Sequence, residues 1–128
     1  MAVTATVTRP QAAPIGGVMQ RTITRVEFAW EIDAAGTVTG TTAQYFTGQI
    51  LRCVTIPSAT NVPTVNYDVE LLDDDGADIM NATVYNRSQT ATENLLPVTP
   101  PAMANTRITC HVWHSGIGSQ GTVILYIA

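Results

Sequence analysis

Apolar and polar residues alternate with a period of two along most of the chain, and no stretch of useful length carries a helical period. The pattern therefore predicts strands. Val26, Phe28, Trp30 and Ile32 fall on one face and Arg25, Glu27 and Glu31 on the other, which describes a half-buried strand. It stops at Asp33-Ala34-Ala35-Gly36, a turn sequence, and a Thr-rich strand follows over 37–42, so the two are expected to pair as a hairpin. Residues 48–56 are apolar on both faces with Arg52 as the one charge and end at Pro57, which marks a central strand. Over 65–72, Val65, Tyr67, Val69 and Leu71 lie opposite Asn66, Asp68, Glu70 and Leu72. Further strands are expected over 79–85, near 95–98, and over 106–114 and 122–127, the last two flanking HSGIGSQG as a terminal hairpin.

About eight short strands at this spacing predict an all-β domain over 21–128, an antiparallel β-sandwich or jelly roll, with a small closed barrel as the nearest competitor. Residues 1–20 differ. Thr and Ala dominate, Pro10 and Pro14 interrupt, and Gly16-Gly17 follows, so they are expected to form an extended N-terminal arm, ordered where a partner holds it.

Composition narrows the function classes. At 128 residues and 13.7 kDa the chain suits one domain with a real core. Only 12% of residues are charged against 45% hydrophobic, and all six basic residues are Arg. A surface so poor in charge draws its solubility from Thr, Asn, Gln and Ser, or is hidden against other subunits. A net charge of -4 without a basic stripe argues against direct nucleic-acid binding. The N-terminus lacks the basic region and apolar run of a secretion signal, and no apolar run approaches the roughly 20 residues of a membrane span. The expectation is a protein made and used without passing a secretion channel, in which the sequons Asn81-Ala82-Thr83 and Asn86-Arg87-Ser88 are chance matches. Cys53 and Cys110, each inside a strand pattern, are expected to be buried thiols and not a disulfide.

The chemical motifs are weak. Gly116-Ile117-Gly118-Ser119-Gln120-Gly121 matches the dinucleotide fingerprint by letter, but a strand and not a helix follows, so the match is a loop. On a continuous strand His111 and His114 point to opposite faces, while Cys110 and His114 share one. No zinc spacing, nucleophile elbow or cofactor motif accompanies them, and neither enzyme activity nor a cofactor or metal is expected. His111 and Trp113 read instead as part of a packed or intersubunit surface. In Asp73-Asp74-Asp75-Gly76-Ala77-Asp78 neither register fits a calcium loop, and Asp-Asp-Gly between two alternating strands is a hairpin turn. If Asp73, Asp75 or Asp78 do more, they are expected at a subunit contact, facing an Arg or a cation.

One order of phrases carries a resemblance. FAWEIDAAGTVTG, TGQILRCVTIPSATNVPTVNYDVELLDDDGADIM, YNRS and the closing TRITCHVWHSGIGSQGTVILYI resemble small virion proteins of tailed bacteriophages, over residues 26–127. The most specific part is YDVELLDDDGADI followed by NRS. The resemblance implies a non-enzymatic capsid decoration, or cement, protein on the capsid exterior that bridges subunits of the major capsid protein as a homotrimer. No catalytic or metal residue comes with it. Contacts would fall to the arm, with Arg9, Pro10 and Pro14, and to His111, Trp113, Asp73, Asp75 and Asp78 of the domain. Two other readings stay open: a head-completion, tail or fibre-associated virion protein, and a carbohydrate-binding β-sandwich using exposed Trp and Tyr.

Overall fold

A computed structural model describes residues 3–8, 14–15, 18–19 and 23–128. Its elements are all strands: β1 (Thr4–Thr8), β2 (Pro14–Ile15), β3 (Val18–Met19), β4 (Thr24–Glu31), β5 (Thr37–Thr41), β6 (Phe46–Pro57), β7 (Asp68–Leu72), β8 (Glu93–Leu95), β9 (Ala102–Thr106), β10 (Thr109–Trp113) and β11 (Gln120–Ile127). Every pairing is antiparallel. One sheet has the order β1-β4-β11-β6-β8, with β9 pairing the first residues of β6; a second has the order β5-β10-β7; β2 and β3 form a two-residue ladder of their own.

The two larger sheets make the expected sandwich, and the alternation explains which faces meet. β4 sends Val26, Phe28 and Trp30 inward and β11 sends Val123, Leu125 and Ile127, while Cys53 comes from β6. The smaller sheet answers with Val38, Val69, Leu71, Cys110 and Val112, and Tyr67 and Ile108 fill the ends. At roughly 1.5–3 kcal/mol per fully buried large apolar side chain, this set suffices to drive association of the sheets. β6 is an interior strand, as its two-sided apolar pattern predicts. Both cysteines are free and fully buried. Desolvation pushes the Cys53 thiol up to about 12 and the Cys110 thiol higher still, so neither is a ready nucleophile.

Of the three expected hairpins, the acidic turn folds the chain back on β7 with an antiparallel bridge between Leu72 and Asp78, and the other two are absent. β4 pairs with β1 and β11, and β5 pairs with β10, so the Asp33–Gly36 turn carries the chain from one sheet to the other. The same holds at HSGIGSQG: β10 lies in the small sheet and β11 in the large one. The turn chemistry is as expected, with Gly36 at φ 79, its N–H donating to the Asp33 carbonyl at 3.1 Å, and Ala35 N–H donating to the Asp33 side chain at 2.8 Å. A turn sequence sets where a chain bends, not which strand it then meets. Two inward-facing apolar stripes in succession bury more by facing each other across a core than by lying side by side. The two crossings brace one another, because Ile32 donates to the Ser119 carbonyl at 2.9 Å and accepts from Gly118 at 2.9 Å.

Other boundaries moved for local reasons. Val65 is 61% exposed, because Asn66 adopts a left-handed φ of 58 and breaks the alternation before β7. Residues 79–85 form turns instead of a strand, with Asn81 and Ala82 at φ 50 and 64. The short strand near 95 is Glu93–Leu95, and the stretch 106–114 is divided between the end of β9 and β10. Within the segment read as an arm, Thr4–Thr8 is a sheet strand in full register with β4, from Thr4 opposite Ala29 to Thr8 opposite Arg25.

Candidate functional site

The outer face of the three-stranded sheet gathers His111, Trp113, Glu70 and Asp68. The register sets them in rows across the strands: Thr39, His111 and Glu70 in one, Thr37, Trp113 and Asp68 in the next. Alternation sends Cys110 and Val112 of β10 into the core and leaves His111 and Trp113 outside. Cross-strand neighbours on one face are close enough to interact, and here His111 meets Glu70 directly opposite and Thr37 on the diagonal.

His111 is held at both ring nitrogens. Nδ1 lies 2.8 Å from Glu70 Oε1, and Nε2 lies 2.8 Å from Thr37 Oγ1. The indole of Trp113 stacks on the imidazole, with centroids 4.8 Å apart and planes 19° from parallel. Tyr85 meets Trp113 edge to face at 5.2 Å, and its hydroxyl donates to Glu70 Oε2 at 3.3 Å. Desolvation first, and then the Glu70 carboxylate, raises the Tyr85 phenol above its ordinary value. The carbonyl of Tyr85 is itself gripped by Arg87, whose Nε and Nη2 donate at 3.0 and 2.8 Å. Thr37, His111 and Glu70 stand in the order of a hydroxyl–imidazole–carboxylate relay. Yet the Thr37 hydroxyl also donates to the Val112 carbonyl at 3.0 Å, which ties it to the sheet and makes the row a cross-strand brace.

His114 corrects the expectation drawn from a continuous strand. Its φ of 56 ends the alternation, so it joins Trp113 and Asp68 on the outer side while Cys110 stays in the core. His114 Nδ1 lies 2.6 Å from Asp68 Oδ2, the ring is 5.9 Å from Trp113, and Asp68 Oδ1 accepts from the Asn86 N–H at 2.9 Å. The supporting groups are sheltered, with the Asp68 and Glu70 side chains 11% and 21% exposed, whereas the His114 side chain is 70% exposed. The result is a pre-ordered aromatic and imidazole surface with its carboxylates beneath. It is not a cleft. One hollow of about 420 Å³ lies on the other sheet over Thr4, Ala29, Thr122 and Ile56, and another of about 320 Å³ lies beside Met80 and Val98; neither is lined by a residue of this face.

The acidic turn is occupied with its own backbone. Asp73 accepts from the N–H groups of Asp75 and Ala77 at 3.0 and 2.9 Å, and Asp78 accepts from Met80 and Ala82 at 3.1 and 2.7 Å. Asp74 pairs with Arg107 at 3.1 Å, an exposed pair of small worth, and Asp75 is exposed at the tip. Gly76, at φ 80, closes the turn with its N–H donating to the Asp73 carbonyl at 3.0 Å. Among the described residues no group of three or more His, Cys, Asp and Glu could hold a metal ion. Of the arm residues named above, Arg9 and Pro10 lie outside the described residues, and Pro14 belongs to β2, opposite Met19.

His111 and Trp113 are thus brought together on one face, and the aspartates stand apart from them. Sequence reasoning missed Thr37, Asp68, Glu70, Tyr85 and His114. Only the pairing of β10 with β7 and β5, in place of β11, could have revealed the first three. The chain matches no protein-family model, no curated protein and no solved structure.

Proposed function

We propose that the chain is a non-enzymatic structural protein of a tailed-phage particle, a capsid decoration protein that docks on the major capsid protein through the outer face of its three-stranded sheet. The observation that carries this reading is the Trp113 cluster. Trp, Tyr and His held rigid before contact, on a flat surface, are the composition of an interface centre, where little ordering entropy remains to be lost on binding. The phrase resemblance in the sequence supports the particle, and the low charge supports a subunit surface occupied by neighbours. Docked across a boundary between capsid subunits, such a protein would add contact area that must be broken before the shell opens. A carbohydrate-binding reading has less support, because His111 already covers the ring of Trp113 that a sugar would stack on.

The test is a capsid-binding assay with undecorated particles, followed by cryo-electron microscopy. Wild-type protein is expected to decorate the exterior and Trp113→Ala to bind at least tenfold more weakly with an unchanged far-ultraviolet spectrum. Density confined to the tail or the head vertex would move the protein to another virion location, and decoration by Trp113→Ala at wild-type affinity would sink the assignment of this face.

A further inference from the structure

The three-stranded sheet has two edges, and hydrogen bonds among the described residues close only one of them. Backbone direction along β7 shows which way each group points. Val69 N–H donates to the Val84 carbonyl at 3.2 Å and the Leu71 carbonyl accepts from Ile79 at 2.7 Å, so residues 69 and 71 face away from β10 while 68, 70 and 72 face it. In β10, residues 109, 111 and 113 then face β7, and 110 and 112 face β5. Their partners Gly40 and Val38 bond to β10, which turns the N–H and carbonyl groups of Thr37, Thr39 and Thr41 outward. The bond from Thr42 N–H to the Ile108 carbonyl at 3.0 Å agrees, two steps along from Gly40.

Native edges are blunted by charge, proline, a bulge or a cover. β5 reads Thr-Val-Thr-Gly-Thr, and its register with β10 runs unbroken from 37 to 41, so it has none of the first three. Val3 packs so close beneath Gly40 that a β-carbon there would come within 2.4 Å of its own, yet it donates no backbone bond to the edge among the described residues.

We propose that β5 is a self-pairing edge, to which a second copy of this chain adds its own β5 antiparallel, with Thr39 opposite Thr39 on a two-fold axis and Thr37 opposite Thr41. The occupant is a second copy because the edge is complementary to itself. Its outward donors and acceptors are symmetric about Thr39, and the same side chain stands at all three outward positions. The absence of charge lets two copies, each at -4, meet without like charges at the contact. The Thr41 and Thr109 hydroxyls, 2.8 Å apart within one sheet, show the side-chain contact that would recur between copies. Two three-stranded sheets become one of six, and the two Trp113 faces lie on the same side of it, giving a bivalent docking surface. The unit is a dimer, in place of the trimer that the resemblance implies. Self-pairing does not depend on capsid docking.

Light scattering and native mass spectrometry of the full chain test the pairing. The expected mass is twice 13.7 kDa. Hydrogen exchange at the Thr37, Thr39 and Thr41 amides is expected to slow as concentration rises through the dimer midpoint. Thr39→Lys, on an exposed side chain, is expected to be monomeric with an unchanged spectrum. A chain that stays monomeric at every concentration, a trimer, or a dimer that Thr39→Lys leaves intact would overturn the proposal. So would amides already slow in a monomer, which would show that the chain's own N-terminal residues cover the edge. Should Thr39→Lys fail to fold, the exchange measurement on the wild type decides.

Discussion

The two flanks of the smaller sheet handle an edge strand in different ways. On the β7 side the chain folds back over the edge: the Asp78 side chain, Ile79, Val84 and Arg87 supply partners for the outward groups of Tyr67, Val69 and Leu71, and the left-handed residues Asn81, Ala82 and Asn86 bend the chain that carries them. On the β5 side the edge carries threonines, with Val3 packed beneath Gly40 but no backbone bond to the edge among the described residues. Closing an edge with irregular chain takes residues in unfavourable backbone conformations and carboxylates aimed at N–H groups, and the β7 flank has both. The β5 flank keeps a regular ladder and leaves its hydrogen bonds for another chain. One flank is finished within the molecule, and the other is shaped for assembly.

The largest expected effect belongs to the core between the flanks and sets the scale for both. Burial raises the Cys53 thiol from 9.0 to about 12 and the Tyr67 phenol from 10.0 to about 12, and it raises Cys110 in the same direction. Folding thus holds these protons more tightly than the unfolded chain does. The stability these groups contribute is fully present below about pH 9 and is lost as pH rises from there to about 12. Thermal melting should be flat from pH 7 to 9 and drop steeply above it. A flat profile through pH 11 would mean that these groups are not sheltered.

Next in size is Asp78→Ala on the covered flank, which leaves the Met80 and Ala82 N–H groups without their acceptor and should cost about 2 kcal/mol in urea unfolding. A loss below about 0.5 kcal/mol would show that the cover does not rest on this carboxylate. Gly40→Ala on the open flank forces Val3 aside, and because β1 lies at the margin of its sheet, about 1 kcal/mol is expected. A cost as large as that of Asp78→Ala would mean that β1 is held as firmly as the covered flank. Thr39→Lys should change monomer stability least, by less than about 0.5 kcal/mol, since the side chain is exposed. Its effect falls on association alone, and a larger destabilisation would show that β5 is not an open edge.

Much of the fold was legible in residue order. The alternation from Val26 to Ile32 placed β4 and its inward face, the two-sided apolar run marked β6 as interior, and Asp33–Gly36 and Asp73–Asp78 were readable as turns, because each depends on neighbours within a few residues. The site was legible only in fragments. His111 and Trp113 stood out by type, but Glu70 is 41 residues from His111 and Asp68 is 46 from His114, so nothing local joins them.

By itself the sequence determined strands without helices, a sandwich-sized set of them, two cysteines inside apolar patterns, and the bends between elements. Period-two burial and turn chemistry are short-range effects, and a single strand carries them in full. Only the tertiary structure decided which strands pair, that the hairpins expected at 33–36 and at HSGIGSQG open into crossings between sheets, that His114 turns to join Trp113, and that no described residue hydrogen-bonds to the outer edge of β5. Those outcomes depend on which apolar faces bury each other, a choice made between segments tens of residues apart and invisible to any one of them.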